Sequence, residues 1–348
     1  MRRGLMAWDS AEVPASALAD RLTRLRAELA REGVDVFVAY TNIARGGSVW
    51  WLTGFTPYWN EGLLYAPSQG EMVFATALSK RVAEWISSVM PAGEVTTTPR
   101  PAAFIGDHIA RDGAKRIGIL ELDDFPAGHA QAILQAAPGV ELVDVTQAFA
   151  RARNGSDAVE RLLLTKADAL AQSACAAVDV TSAHARDFIA PAESVARLGG
   201  AEECFTLVAG DLGASRAFVR TDSMGDLGET YAARVSLAYK GAWTRHVRSF
   251  ARDAGVQHGM DRAYAALMSF ALQPGESLAQ AVARTFGSIG DVVNFVAEQP
   301  RGSYPLAPVA NLAETAEGFT AAAPFVLEVE LSMGGRRWIG ARMVGLSS

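Results

Sequence analysis

The sequence predicts two domains, an α/β domain over residues 1–150 and an α+β domain over residues 151–348. In the first half, short apolar strands alternate with amphipathic helices, which is typical of a mostly parallel sheet with helices on its faces. In the second half, long strands of alternating polar and apolar residues follow one another, as they do in antiparallel sheets. The turn Asn154-Gly155 between the two patterns is the predicted boundary.

The elements of the first domain follow from local periodicity. Leu18, Leu22, Leu25 and Leu29 recur every three to four residues, which predicts an amphipathic helix. Apolar runs bounded by turn residues predict the strands. In chain order, the sequence predicts a helix at 16–32, strands at 34–40, 50–55, 62–67 and 71–76, helices at 79–90 and near 103–111, a strand at 116–122, a helix at 126–136 and a strand at 140–145.

The second domain begins with a long helical stretch at 150–189. Four strands are predicted from the alternating runs CFTLVAG, YAARVSLAYKG, AWTRHVRSFAR and APFVLEVELSMGG, and a fifth from RRWIGARMVGL. Helices are predicted near 258–272 and 276–287, and the segment SYPLAP is predicted to be a loop.

Composition excludes several classes of function. The chain has 348 residues and a formal net charge of −6, which argues against a nucleic-acid partner because phosphate binding needs a concentrated positive surface. No apolar run is long enough to span a membrane, and the N-terminus is a poor signal peptide. Two cysteines without CxxC spacing argue against a disulfide framework. We therefore expect a cytoplasmic protein that contacts neither nucleic acid nor membrane.

Several motifs resemble the creatinase/prolidase/aminopeptidase P family. WWLTGF is similar to the family's YLTGF, ALQPGE to its helix and Pro-Gly turn, and APFVLEVEL to a strand of its metal site, in the same order along the chain. The resemblance implies a creatinase-like N-terminal α/β domain, a C-terminal α+β domain of the pita-bread type and a homodimer.

The sequence departs from the family where the family binds two metal ions. Aligned on Gly241, the two family aspartates correspond to Arg234 and Arg245, and the region 287–296 has no histidine. Glu330 falls on one family glutamate, while the other falls at about Ala341 or Arg342. A guanidinium group is a permanent cation without a lone pair to donate. We therefore expect a site without metal or cofactor.

The arginines suggest what the cavity binds instead. A buried guanidinium group must be paired, so either Glu328 and Glu330 neutralise Arg234 and Arg245 or an anionic ligand does. Arginine recognises carboxylates with bidentate geometry, which predicts a small anionic substrate. Other residues predicted to bind it are Arg216, Arg342 and, on a loop that reaches the partner's active site in the family's dimers, Tyr58 and Trp59.

Catalysis needs a group that moves protons. Creatinase itself is a metal-free member of the family and uses a histidine with glutamates, but the matching segment 208–220 has no histidine. Glu330 and His246 are the predicted catalytic residues, because His246 adjoins Arg245. An internal partner for the arginines is the alternative role for Glu330, and a structural role is the alternative for His246.

Three functions remain open at this point. The first is a metal-independent hydrolase or lyase of the creatinase type that cleaves a C–N or C–C bond in a small carboxylate-bearing substrate. The second is a catalytically inactive relative that binds a peptide or small acid. The third is a metal-dependent Xaa-Pro dipeptidase.

Overall fold

Each half of the chain folds around one β-sheet. The computed structural model describes residues 9–55, 61–153, 156–220, 225–315 and 323–346. The described residues form an N-terminal unit of 3–159 with 300–305, and a C-terminal unit of 160–299 with 306–348. The predicted boundary after residue 150 falls within a helix, and the turn Asn154-Gly155 lies outside the described residues.

The N-terminal unit has a six-stranded sheet in the order β4-β3-β2-β1-β5-β6. Three of the five neighbouring pairs are parallel, and β2 runs antiparallel to both β1 and β3. Five of the six strands therefore run in one direction, so the sheet is mostly parallel, as predicted, with one reversed strand. Its elements are α1 (Ala15–Arg31), β1 (Val36–Thr41), α2 (Gly47–Thr53), β2 (Gly62–Pro67), β3 (Val73–Thr76), α3 (Lys80–Val89), β4 (Glu94–Thr97), α4 (Pro101–Asp112), β5 (Arg116–Ile119), α5 (Ala127–Ala136), β6 (Glu141–Asp144) and α6 (Thr146–Arg153).

The strand predicted at 50–55 is wrong, because this segment belongs to helix α2. All its residues from Ser48 to Thr53 are buried, so the apolar run has no exposed face to reveal a helical period. Gly54 ends the helix in the left-handed region with φ of 72°, where a side chain is disfavoured.

The C-terminal unit has a seven-stranded sheet in the order β11-β10-β12-β13-β9-β8-β7. In this order, every neighbouring pair of strands from β10 to β7 is antiparallel. The elements are α7 (Ala158–Ala176), α8 (Ala185–Leu198), β7 (Glu203–Ala209), β8 (Thr230–Tyr239), β9 (Ala242–Ala251), α9 (Ala254–Met268), α10 (Leu278–Phe286), β10 (Asp291–Arg301), β11 (Tyr304–Asn311), β12 (Phe325–Met333) and β13 (Arg336–Val344).

Two predictions for this half are corrected. The helical stretch expected at 150–189 is divided among α6, α7 and the start of α8, with a non-helical connection between α7 and α8. The segment SYPLAP belongs largely to strand β11. Pro305 and Pro308 are compatible with this strand because β11 lies at the edge of the sheet, where a missing N–H is tolerated.

The two faces of the C-terminal sheet differ. One face carries the apolar residues that pack on α7 and α8, such as Val235 and Leu237, and further along those that pack on α9 and α10, such as Leu327. Side chains alternate along a strand, so Arg234 and Ser236 lie on the other side. We call this second side the open face.

The described residues include no helix that is long and apolar enough to cross a membrane.

Candidate functional site

Arg234 and Arg245 lie on the open face of the C-terminal sheet, in neighbouring rows. Strands β8 and β9 pair so that Arg234 is opposite Val247 and Arg245 is opposite Ser236. Residues paired across an antiparallel sheet share a face. The hairpin that joins the two strands therefore carries both arginines to the same side.

Arg234 forms an ion pair with Glu328 on β12. Its Nη2 donates to both carboxylate oxygens of Glu328, at 3.0 and 2.8 Å. The arginine reaches across Ala341 of β13, which lies in register with both Val247 and Glu328. An alanine at this position leaves room for the guanidinium group above the strand.

The surroundings of Arg234 are apolar on one side. The Phe218 ring centroid lies 4.0 Å from the guanidinium carbon. Burial lowers the pKa of Arg234, and the negative charge of Glu328 opposes this shift. The Nε of Arg234 is buried and has no hydrogen-bond partner among the described residues. One donor of this guanidinium group is therefore unsatisfied.

Arg245 pairs with a carboxylate that the sequence did not single out. Its Nη1 contacts Glu298 on β10, and its Nε donates to the hydroxyl of Ser236 at 3.2 Å. Burial raises the pKa of Glu298, while the charge of Arg245 lowers it. Glu298 lies on the same face of β10 as Val296 and Asn294. No pattern within that strand identifies Arg245 as the partner of Glu298.

Glu330 is held between two further arginines. It is only 7% exposed. One of its oxygens accepts from Arg216 Nη1 at 3.1 Å, and the other forms an ion pair with Arg337 Nε at 2.9 Å. Arg337 also donates to the carbonyl of Leu212 at 3.1 Å. Arg216 was predicted to bind substrate and lies here, with 64% of its side chain exposed. Arg337 was not predicted.

The Arg234–Glu328 and Arg216–Glu330 pairs line a cavity of about 410 Å³. Such a volume falls within the range of roughly 300–1,000 Å³ that is common for small-molecule sites. Its polar lining includes Arg216, Arg234, Glu328, Glu330 and Asn294. We use the term open-face cluster for the ion pairs in and beside this cavity, formed by Arg216, Arg234, Arg245, Arg337, Glu298, Glu328 and Glu330.

His246, which was predicted to be catalytic, does not join the open-face cluster. It follows Arg245 on the same strand and therefore points to the opposite face. There it is fully buried, and its Nε2 lies 2.9 Å from Oδ1 of Asp168 on α7. The imidazole of His246 therefore lies on the other side of the sheet from the Arg234 guanidinium group.

Arg342, which was predicted to bind substrate, also lies on the helix-covered face. Its Nη1 donates to the carbonyl of Met268 at the end of α9, and its Nε donates to the carbonyl of Met343 at 2.8 Å. Arg342 thus joins the sheet to a helix. Tyr58 and Trp59, the other predicted binding residues, lie outside the described residues.

The part of the chain that the structure describes contains no group of three or more His, Cys, Asp or Glu side chains arranged to hold a metal ion. Three carboxylates do occur in the open-face cluster, but each accepts from at least one arginine. The carboxylate oxygens that face the cavity therefore already have cationic partners.

Comparison with known proteins supports the fold assignment. Residues 21–154 match the Creatinase/Prolidase N-terminal domain. A search of curated protein sequences finds no match.

Solved structures resemble the whole chain. The prolidase from Pyrococcus horikoshii is 14% identical with a TM-score of 0.70, covering 94% of this chain and 98% of its own. The Xaa-Pro dipeptidase from Bacillus anthracis is 15% identical with a TM-score of 0.69, covering 95% and 98%. The X-Pro aminopeptidase from Thermotoga maritima is 15% identical with a TM-score of 0.70, covering 94% and 97%. The chain thus carries a Creatinase/Prolidase N-terminal domain at residues 21–154, and its fold is similar to that of these solved structures over nearly its whole length.

Proposed function

We propose that the C-terminal unit binds a small carboxylate-bearing ligand on its open face without a divalent metal ion. The observation that supports this most is the charge of the open-face cluster. Four guanidinium and three carboxylate groups leave a formal excess of one positive charge. One ligand carboxylate balances that excess, and guanidinium groups bind carboxylates well.

The carboxylate oxygens of the open-face cluster do not fit the ligand set of a two-metal centre. Glu328 gives both oxygens to Arg234, and Glu330 gives one oxygen each to Arg216 and Arg337. A divalent ion at these oxygens has to displace the arginines and remain next to their positive charges. Mutual repulsion opposes that exchange, which favours an acid over a metal ion as the occupant.

Ligand binding without catalysis is the form that this arrangement favours. His246 lies on the other face, and the open-face cluster contains no histidine. All three carboxylates of the cluster are engaged with arginines, so none is free to act as a base without breaking an ion pair. A catalytically inactive relative that binds a small acid or peptide therefore agrees best with the geometry.

A metal-independent hydrolase or lyase of the creatinase type is the second candidate. The observation in its favour is Glu298, a carboxyl whose pKa burial raises, beside Arg245. A carboxyl with a raised pKa is suited to hold and transfer a proton. In this version Glu298, and not His246, moves protons together with Glu330. The bond that is cleaved is C–N or C–C.

The third candidate is a metal-dependent Xaa-Pro dipeptidase. It is favoured by the fold, since the similar solved structures include a prolidase, an Xaa-Pro dipeptidase and an X-Pro aminopeptidase. The homodimer and the cytoplasmic location stay predictions.

Metal content and acid binding test the first candidate. We expect elemental analysis to find less than one equivalent of transition metal per chain, and calorimetry to detect binding of acetylglycine. Replacing Arg234→Met together with Glu328→Gln removes the guanidinium group without leaving a lone carboxylate, and should weaken binding about tenfold or more. The control Arg186→Met, at an exposed position on α8, should bind as the wild type does. Two tightly bound metals, or equal affinity in the double variant, contradicts the proposal.

Turnover separates the other two candidates. Small amides, ureido acids and guanidino acids are assayed with wild type, Glu298→Gln and Glu330→Gln in a chelator, and Xaa-Pro dipeptides are assayed with added Mn²⁺. Turnover in the chelator that both glutamine variants lose supports the metal-independent enzyme. Dipeptide cleavage that requires Mn²⁺ supports the dipeptidase.

A further inference from the structure

The open face carries an aromatic pair, one exposed ring and one half-buried ring, on the strands of the arginines and their neighbour. Phe205 on β7 is 54% exposed, and its ring stacks on Trp243 of β9 with centroids 5.8 Å apart and an interplanar angle of 13°. A large aromatic surface in contact with water is unfavourable, and paired exposed aromatics often mark binding sites. The two stacked rings form one continuous apolar surface, which we call the Phe205–Trp243 platform.

The sheet register places this platform next to Arg245. Phe205 is opposite Ser236, which is opposite Arg245. Trp243 lies two residues before Arg245 on the same strand and thus on the same face. Neighbouring strands are about 4.8 Å apart and alternate residues of one strand about 7 Å apart. A carboxylate at the guanidinium groups and an apolar group on the platform are therefore separated by the length of a small molecule.

The cavity lined by Arg234 is also partly apolar. Phe218 covers one side of the Arg234 guanidinium group, and Val296 and Ile339 line the same cavity. Pockets that pair a charged anchor with apolar walls hold ligands whose charge is at one end. A ligand bound here meets cations at one end and carbon surfaces at the other.

We propose that the acid bound by this pocket carries an aromatic group, which stacks on the Phe205–Trp243 platform while its carboxylate meets Arg234 and Arg245. This inference rests on the proposed function, since it assumes that an acid is the ligand. Charge complementarity selects a small acid as the occupant, because the platform adjoins an excess of guanidinium groups. A second copy of the chain that covers the platform is the competing occupant.

Two acids that differ only in their acyl group provide the test. Benzoylglycine and acetylglycine share a carboxylate and an amide, but only the first has a ring. We expect calorimetry to give wild-type affinity about tenfold or more higher for benzoylglycine, because the ring buries apolar area. Phe205→Ala and Trp243→Ala should reduce the ratio of the two affinities towards one while acetylglycine still binds. Acetylglycine binding thus reports that each variant is folded. The control Leu198→Ala removes an exposed apolar residue at the end of α8, 90% exposed, and should keep the ratio.

The outcomes separate this inference from the proposed function. Equal wild-type affinity for both acids overturns the aromatic ligand but leaves the acid-binding pocket in place. No binding of either acid overturns both proposals. A dimer in sedimentation experiments that Phe205→Ala converts to monomer assigns the platform to a second copy of the chain and overturns the inference.

Discussion

The Arg234 side chain is a permanent cation with only 20% of its surface exposed, and it is held by Glu328, itself 23% exposed. A charge in such a place is costly unless a partner compensates for it. Burial lowers the pKa of Arg234, and Glu328 opposes the shift, which indicates that desolvation and ion pairing act against each other here. Whether the pair adds net stability is a separate matter from the cost of breaking it.

Breaking the pair should cost more than removing it. We expect Glu328→Gln to lower the free energy of unfolding by about 1–3 kcal/mol, because the buried cation loses its counter-charge. The double variant Arg234→Met with Glu328→Met should lie within about 1 kcal/mol of wild type. Urea unfolding of Glu328→Gln, of the single variants Arg234→Met and Glu328→Met, and of the double variant measures this and closes a double-mutant cycle.

The exposed pair Arg197 and Glu193 on α8 is the matched control, with a coupling energy expected to be about 0.5 kcal/mol or less. A coupling energy between Arg234 and Glu328 as small as that of the control contradicts the prediction.

Glu298 should make stability depend on pH. Its pKa is raised above the ordinary value of 4.5 by burial, so its ionised form is less favourable in the folded than in the unfolded chain. The penalty is fully present above the raised pKa, shrinks as pH falls from there, and is gone below 4.5, where both states bind the proton. Relative to Glu298→Gln, the wild type should therefore gain stability as pH falls through this window. Urea unfolding of both proteins across the acid range measures the difference between their free energies of unfolding. A wild type that loses stability relative to Glu298→Gln as pH falls contradicts the prediction.

The positions of the arginines could be predicted from the sequence, but their partners could not. Arg234 and Arg245 lie on the two strands of one hairpin, so local spacing defines their common face. Glu298 lies on β10, which is separated from β9 by β12 and β13. That contact depends on the strand order of the whole sheet, and no local pattern encodes it.

At the scale of elements, helix α7 is joined to the sheet by one buried carboxylate. Oδ1 of Asp168 lies 2.9 Å from His246 Nε2 and accepts from the Met343 backbone N–H at 3.3 Å and from the Thr244 hydroxyl at 3.4 Å. The helix is thereby connected to β9 and β13. His246, predicted to be catalytic, instead takes part in this connection.

Removing the acceptor should loosen the contact between helix and sheet. Asp168→Leu leaves buried donors of His246 and Met343 without an acceptor, which should cost about 2–4 kcal/mol in the free energy of unfolding. Asp168→Asn keeps an amide oxygen that can accept, so it should cost clearly less. Urea unfolding and hydrogen exchange of the Met343 amide measure both variants, and equal losses for leucine and asparagine contradict the explanation.

The elements that the sequence predicted best have a visible period. Helix α1 was expected at 16–32 and lies at Ala15–Arg31, with Leu18, Leu25 and Leu29 buried as the spacing implies. Helix α2 was mistaken for a strand because all its residues from Ser48 to Thr53 are buried. Strand β11 was mistaken for a loop because its prolines are typical of loops and its place at the sheet edge is a tertiary property.

At the scale of the whole molecule, charge is unevenly distributed. The chain has a formal net charge of −6, whereas the open-face cluster has an excess of one positive charge. An acidic protein with a local cationic pocket repels anions over most of its surface and attracts them at one place. The fold is that of the prolidases, so the sign of the charge in the pocket is a property of side chains on an otherwise similar scaffold.

Reversing that sign should change how the whole molecule responds to metal. Arg234→Asp with Arg245→Asp adds two carboxylates beside Glu298, Glu328 and Glu330, so repulsion should lower the melting temperature in a chelator. Millimolar Mn²⁺ should then raise it by roughly 5–10 °C, because an ion that binds only the folded state stabilises it by mass action. The wild type should not respond, since its carboxylates are paired with arginines. The double variant Arg81→Asp with Arg186→Asp makes the same change of charge at exposed positions and should not respond either. Differential scanning fluorimetry compares the three proteins, and an equal Mn²⁺ shift in the wild type shows that the arginines do not keep metal out of the pocket.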